Sequence, residues 1–449
     1  METGDANAER AIYSNRLNDF SILDAATVTQ VADEYGTPVY LYDETHIRRR
    51  CRECLSMPNA YGLTVRYAMK AGSNRTLLKI ICEEGLHIDA SSLNEAVRAN
   101  LAGIPPEVIM LTTQEVHAGA ARVKLEELLR KGMKYNVCSL RQLDLIGDFA
   151  AANRIDPGIR IHPGIGSGES ATRNTGDDYS CFGVHLSDVA EANKIAASFG
   201  IRFRHIHVHI GSGADSEKWR QNIDLELGII NEHFSDAESV SFGGGLKENR
   251  MPDEVSANIR SLGDYAKKKM ADFYNKTGRK LRMEIEPGTY IIANAGYALT
   301  RVIDKKKTAR SNFIIIDGGM EINARPLLYG SKHPIYIISA DGARVKSSDY
   351  SIADKPPDDL YCAVVAGICC ESGDCQTLDA DGHSTTRKMA EPDIEDVAVI
   401  GGAGAYCSSM SPFNYNSHTQ IPEVLYTADG SLKLIRRRQT MEQMLENEI

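Results

Sequence analysis

The sequence predicts an α/β chain built as a (β/α)8 TIM barrel with a C-terminal, mostly antiparallel β domain. Three observations carry that prediction. Between Leu63 and Glu286, eight short apolar stretches rich in β-formers alternate with helical patterns, which is how a parallel sheet closed by helices reads. After Glu286 strand patterns continue while regular helical patterns stop. At 449 residues the chain also exceeds the size at which one hydrophobic core usually stops growing.

The eight barrel strands are LTVRYA, LHIDA, VIMLT, YNVCS, GIRIH, FRHIHVHI, SVSFG and LRMEIE. Between them RTLLKIICEEG, SLNEAVRANLAG and VKLEELLRKG place apolar residues at helical spacing and end in glycine, as a helix C-cap does. A doubly wound open sheet is the alternative. It is disfavoured because no GxGxxG opens a helix after the first strand. ALTRVIDKKK, NFIIIDGG, PIYIIS, LYCAVVAGICC, DVAVIGGAG and EVLYTADGSLKLIRRR supply the β domain, with DG and GG turns between strands. The extended YGTPVYLYD near the N-terminus is expected to join it. The expected division is residues 1–44 as an N-terminal segment joining the β domain, 45–290 as the barrel and 291–449 as the β domain.

A net charge of −10 argues against a dedicated nucleic-acid surface. METGDANAER lacks a signal-peptide pattern, and no run of about 18 apolar residues suggests a membrane span. The expectation is a cytoplasmic protein without nucleic-acid or membrane partners, and ten cysteines in a chain this long suit a reducing compartment. Cys51 and Cys54 form a CxxC within the charged RRRCRECL, with no second pair at zinc-finger spacing, so no metal is expected there. Arg436 to Arg438 read as a solvated basic face.

In such a barrel the chemistry gathers where strands end. Those ends are polar here: Lys70, Asp89, Arg160 with His162, His209 to Ser212, Gly243 to Gly245, and Glu286. A lysine held among apolar strands has its ammonium destabilised by desolvation and can act as an amine nucleophile toward carbonyl compounds. Gly243 to Gly245 and the GSG at 211–213 let backbone N–H groups approach an anion closely. A lysine beside a phosphate cradle points to pyridoxal phosphate, whose pyridine nitrogen needs an acidic partner, with Glu286 the candidate. Asp89 falls among the expected cofactor contacts.

YGTPVYLYD, YAMKA, GLHIDASSLNE, HIGSG, FGGG, EPGT, RPLLYG, CCESGD and GAGAYCSSMSPFNYN occur in this order. From about residue 35 to 425 the chain resembles the fold-type III pyridoxal-phosphate decarboxylases, and among them most the diaminopimelate decarboxylases. CESGD with GAGAY and SMSxxYN argues against the alanine racemases, which share barrel and cofactor. The resemblance implies that Lys70 holds pyridoxal 5'-phosphate as a Schiff base, that His209 stacks on its ring and that Glu286 pairs with the pyridine nitrogen. It implies cofactor and phosphate contacts from Ser212, Gly245, Gly288 and Tyr406. Arg325, Tyr329 and Tyr406 match substrate contacts, Glu371 the group that reads the distal amine, and Cys370 the proton donor.

In the family Cys370 and Glu371 reach the other subunit's active site, which implies a head-to-tail homodimer with shared sites. The implied reaction is decarboxylation of meso-2,6-diaminopimelate to L-lysine and CO2, in lysine biosynthesis. The alternative is a decarboxylase of another cationic amino acid, such as ornithine, lysine or a carboxylated polyamine. A non-catalytic relative is disfavoured because Lys70 and Cys370 are both present. Four departures bear on the substrate. Thr289 stands where the family has arginine, Glu169 and Ser170 where histidines are common, His418 near a usual arginine, and Gly72 where Asn is common. Losing one buried charge-assisted hydrogen bond costs about 1.5–3 kcal/mol, or about ten- to a hundred-fold in affinity.

Overall fold

The first described helix, α1 (Ala25–Tyr35), starts where the Asp24 side chain accepts from the Thr27 N–H at 2.8 Å, satisfying an amide that the helix leaves unpaired. It is followed by β1 (Val39–Asp43), buried at all five positions, and α2 (Glu44–Leu55). The structure is a computed structural model describing residues 24–164, 175–176, 179–211, 216–251, 253–343, 345–347 and 360–449. The chain divides into two compact units.

One unit, residues 48–248 and 256–291, is the barrel. Its strands are β2 (Leu63–Ala68), β3 (His87–Ala90), β4 (Ile109–Thr112), β5 (Lys134–Val137), β6 (Gly158–His162), β8 (His205–His207), β9 (Ser239–Ser241) and β10 (Arg282–Ile285), with a two-residue β7 (Val184–His185) beside β6. They pair in the order β5-β4-β3-β2-β10-β9-β8-β6, and a β5–β6 pairing closes the ring. Every pairing in it is parallel. All eight predicted strands are the barrel strands. Between them run α3 (Arg75–Glu83), α4 (Leu93–Leu101), α5 (Gly119–Arg130), α6 (Leu140–Asn153), α7 (Val189–Ser198), α8 (Ser216–His233) and α9 (Ile259–Thr277). Asn74, Ser92, Ser139 and Asn258 cap α3, α4, α6 and α9 by accepting backbone N–H bonds, each worth about 1 kcal/mol. A single turn, α10 (Thr289–Ile292), follows Gly288.

The other unit groups residues 1–47, 249–255 and 292–449. It is built on β11 (Gly296–Lys307), β12 (Asn312–Ile316), β13 (Ile335–Ile338), β14 (Val345–Ser347), β15 (Tyr361–Ala366), β16 (Arg387–Met389), β17 (Val397–Ile400), β18 (Glu423–Tyr426) and β19 (Leu432–Arg436). The main sheet order is β14-β13-β17-β11-β1-β18-β19, with β12, β15 and β16 branching from β11. As expected, YGTPVYLYD joins it: β1 lies antiparallel to β11 and parallel to β18. The β12–β15 pair is also parallel, and the remaining pairs are antiparallel.

Val28 and Val31 of α1 pack with Leu41, Leu299, Val399 and Val424, all fully buried. Each such side chain contributes about 1.5–3 kcal/mol through burial. Two local expectations change. A short helix, α11 (Arg325–Tyr329), interrupts the strands, with Pro326 in its first turn and Gly330 left-handed after its end. This is the asymmetry that starts and stops helices. Arg436 and Arg438 are not simply solvated: they donate to the backbone carbonyls of Ile421 and of Gly36 and Pro38. Among the described residues no helix is long and apolar enough to cross a membrane.

Candidate active site

Side chains two residues apart on a strand share a face, so inward-facing residues of the barrel strands stack in layers. The lower layer holds Arg66, His87, His205, Ser239 and Glu284. Arg66 grips Glu284 through Nε at 2.6 Å and Nη2 at 3.3 Å, with both side chains buried. His205 Nδ1 lies 2.8 Å from Ser239 Oγ.

The next layer is the polar ring read from the sequence. Glu286 is 6% exposed, and its oxygens accept from Ser241 Oγ at 2.7 Å and from His207 Nε2 at 2.9 Å. Burial alone would raise its pKa. His207, the Ser241 hydroxyl and His209 overcome that and hold the carboxyl well below its usual range. Asp89 has the opposite fate: burial and the Glu286 charge push it up to about 8, against the pull of Lys70. Its Oδ1 is buried without a hydrogen-bond partner among the described residues. Two carboxyls in one ring are thus driven apart, one ionised and one neutral near pH 7.

Lys70 sits on the 3-10 turn Met69–Ala71 just past β2, and lines one cavity with Asp89, Arg160, His209 and Glu286. It is exposed within that cavity rather than enclosed by apolar strands, because the strand has already ended. Asp89, Arg160, His207, His209 and Glu286 line that cavity together with Phe182. The EPG turn packs against the lysine's turn, since a Cβ on Gly288 would come within 3.1 Å of Ala71 Cβ and 3.3 Å of the Ala68 carbonyl oxygen. Tyr67 Oη secures the far side by donating to the Gly72 carbonyl at 3.0 Å.

Gly243 and Gly245 are left-handed, at φ +69° and +83°. A Cβ on Gly244 would lie 2.5 Å from the Glu286 carbonyl oxygen, so only glycine passes there. The Gly244 N–H donates to His209 Nδ1 at 3.2 Å. Burial, followed by the Lys70 and Arg160 charges, holds this imidazole well below its usual pKa, hence neutral. An amine, a fixed carboxylate, a neutral ring and a glycine cradle at one strand-end ring fit a pyridoxal phosphate. Ser212 lies outside the described residues, as do Glu169 and Ser170.

Arg325, Tyr329, Tyr406, Cys370 and Glu371 belong to the β-rich unit. Arg325, 3% exposed at the start of α11, donates from Nε to His333 Nε2 and from Nη2 to Ser331 Oγ, both at 3.3 Å. Its guanidinium lies 5.9 Å from the Tyr329 ring and 6.0 Å from the Tyr406 ring. His333 is fixed in turn by the Gly401 carbonyl at 2.8 Å. Tyr406 is left-handed at φ +61°, a strain of about 1–3 kcal/mol of the kind that marks functional positions.

Cys370 and Glu371 are exposed, and their loop touches the NYN motif: the Cys370 N–H donates to Asn416 Oδ1 at 2.7 Å, and Tyr415 Oη lies 3.5 Å from Glu371. Asp374 anchors the loop by accepting from the Cys369 and Met320 amides, each at 2.6 Å. Cys369, Cys375 and Cys407 are buried, as are Cys51 and Cys54, and burial pushes the Cys51 thiol up to about 12.

Sequence reading passed over His207, Ser241 and His333. The first two carried a usable signal, because each stands two residues before a position already in the ring. Arg160 also lines the cavity, its guanidinium 5.0 Å from the Phe182 ring, whereas His162 lies against His185 at 5.6 Å.

Comparison with known proteins agrees with this geometry. The pyridoxal binding domain of the pyridoxal-dependent decarboxylases matches residues 44–293. A diaminopimelate decarboxylase of Escherichia coli (strain K12) is 32% identical over 434 residues, 95% of this chain and 97% of that protein. A diaminopimelate decarboxylase crystal structure superposes with a TM-score of 0.85 at 32% identity, covering 95% of this chain and 97% of that one. The Helicobacter pylori enzyme complexed with L-lysine gives a TM-score of 0.76 at 26% identity, covering 93% and 98%. The chain belongs to the pyridoxal-dependent decarboxylases, in the group of the diaminopimelate decarboxylases.

Proposed function

We propose that this chain decarboxylates meso-2,6-diaminopimelate to L-lysine and CO2, using pyridoxal 5'-phosphate held by Lys70. The observation that carries the reading is the Glu286 carboxylate, kept ionised by His207 and Ser241 in the same strand-end ring as Lys70. When bound, the cofactor supplies an electron sink for the pair released as CO2 leaves.

The chain's residues do the rest. Lys70 Nζ is the amine that would hold the pyridoxal group covalently. Glu286 would pair with the pyridine nitrogen and keep it protonated, and neutral His209 would stack on the ring. Ser212, Gly245, Gly288 and Tyr406 would supply phosphate and cofactor contacts, and Asp89 lines the cavity that holds the lysine amine. Arg325 with Tyr329 and Tyr406 takes a substrate carboxylate, and Glu371 takes the distal amine. The Cys370 Sγ–H gives its proton to the carbon that lost CO2, and solvent restores the thiol.

Cys370 and Glu371 stand on a surface flanked by exposed Leu327, Leu328, Ile368 and Phe413. Leu327 contacts the CESGD loop, where a Cβ on Gly373 would meet its Cδ1 at 2.6 Å. An exposed proton donor among apolar side chains fits a face covered by a second copy, so the working form is a head-to-tail homodimer with shared sites. A reducing cytoplasm suits its ten unpaired cysteines.

The test is CO2 release across diaminopimelate, ornithine, lysine and carboxylated polyamines. Diaminopimelate should be the preferred substrate, with turnover abolished in Lys70→Ala. Turnover of a rival without diaminopimelate turnover would overturn the substrate, and Thr289 is where the explanation would be sought.

A further inference from the structure

The inward face of α8 carries a polar seam that the proposed reaction does not use. Trp219, Asn222 and Glu226 stand one helical turn apart along it, each at most 1% exposed. Trp219 packs edge-on to Phe242, the residue after β9, with ring centroids 5.9 Å apart. The seam therefore lies in the layer between helix and barrel wall. Trp219 Nε1, both side-chain polar atoms of Asn222 and both oxygens of Glu226 have no hydrogen-bond partner among the described residues. Five such atoms on one helix face are far from the usual pattern, in which nearly every buried polar group is satisfied.

An ionised carboxylate there would have neither a donor nor a cation, and isolated buried charge of that kind neutralises instead. On the α9 side, Lys269 and Tyr265 are engaged by Asp224, and Arg220 donates to Ser261. Burial, followed by the Glu286 charge, pushes the Glu226 carboxyl well up. Donors and acceptors at this spacing are what an enclosed water needs, two to four polar partners each.

We propose that Trp219, Asn222 and Glu226 form an enclosed water-binding site in which Glu226 is a neutral carboxylic acid. This inference does not depend on the identity of the substrate.

Infrared spectroscopy of the pyridoxal-phosphate-loaded enzyme near pH 7 reads the un-ionised carboxyls directly. Wild type should show an un-ionised carboxyl stretch that Glu226→Gln removes. A spectrum unchanged by Glu226→Gln overturns the proposal. Should that variant fail to fold, wild type still decides, because a spectrum with no un-ionised carboxyl stretch means Glu226 is ionised. A crystal structure of the loaded enzyme should place ordered water on at least two of the three side chains. Direct side-chain pairing with no water between them would overturn the hydration.

Discussion

His207→Leu tests the centre of the proposed chemistry. His207 is 1% exposed, and its Nε2–H reaches Glu286 Oε2 at 2.9 Å, one of two donors that keep the carboxylate ionised. Deleting a hydrogen bond to a buried charge costs about 1.5–3 kcal/mol, which is about 10- to 150-fold in an equilibrium constant. That energy is lost from the ionised form of Glu286, the form that pairs with a protonated pyridine nitrogen. Apoprotein titrated with pyridoxal 5'-phosphate, followed by visible absorbance, should therefore show a dissociation constant raised by about that factor.

The pH dependence follows in sign. The folded pKa of Glu286 is depressed, so its contribution is complete above the unfolded value, about 4.3, and is lost as pH falls through the folded pKa. Removing His207 raises the folded pKa, and the acid limb of the affinity profile should move toward neutrality. A variant with unchanged melting temperature, cofactor affinity within about twofold of wild type and the same acid limb would refute the reasoning.

Arg66→Met should destabilise the barrel by about 3–5 kcal/mol in denaturant unfolding, because it strands a buried Glu284. Arg66→Met with Glu284→Leu should recover most of that, and a double variant no better than the single would contradict the account. Mixing inactive Lys70→Ala and Cys370→Ala chains should restore about a quarter of wild-type activity, since half the dimers are mixed and each has one intact site. No recovery after subunit exchange, verified by mass spectrometry, would remove the shared-site dimer.

The barrel was legible because each strand stretch, such as LTVRYA or GIRIH, is a short apolar run bounded by turn residues and followed by a helical period. Function was legible in part for the same reason. Once the strands are placed, their ends form a ring, and Lys70, Asp89, His209 and Glu286 fall in it together. Alternation along a strand would also have found His207 and Ser241, had each strand been read one residue pair further back. Nothing in the linear pattern marked α11, because a five-residue helix has too few turns to show a period. The grouping of residues 249–255 with the β-rich unit was equally silent, since it reflects contacts far apart in sequence.

By itself the sequence determined the parallel barrel, the β-rich unit and the set of reactive groups, because periodicity and residue chemistry are local properties. Only the tertiary structure decided their protonation. Asp89 and Glu286 are both carboxyls at strand ends, yet burial beside a charge drives one toward neutrality while His207 and Ser241 hold the other ionised. It also decided that Lys70 stands exposed beyond its strand. Desolvation and hydrogen bonding depend on what lies across the barrel, and neighbours across a barrel are far apart along the chain.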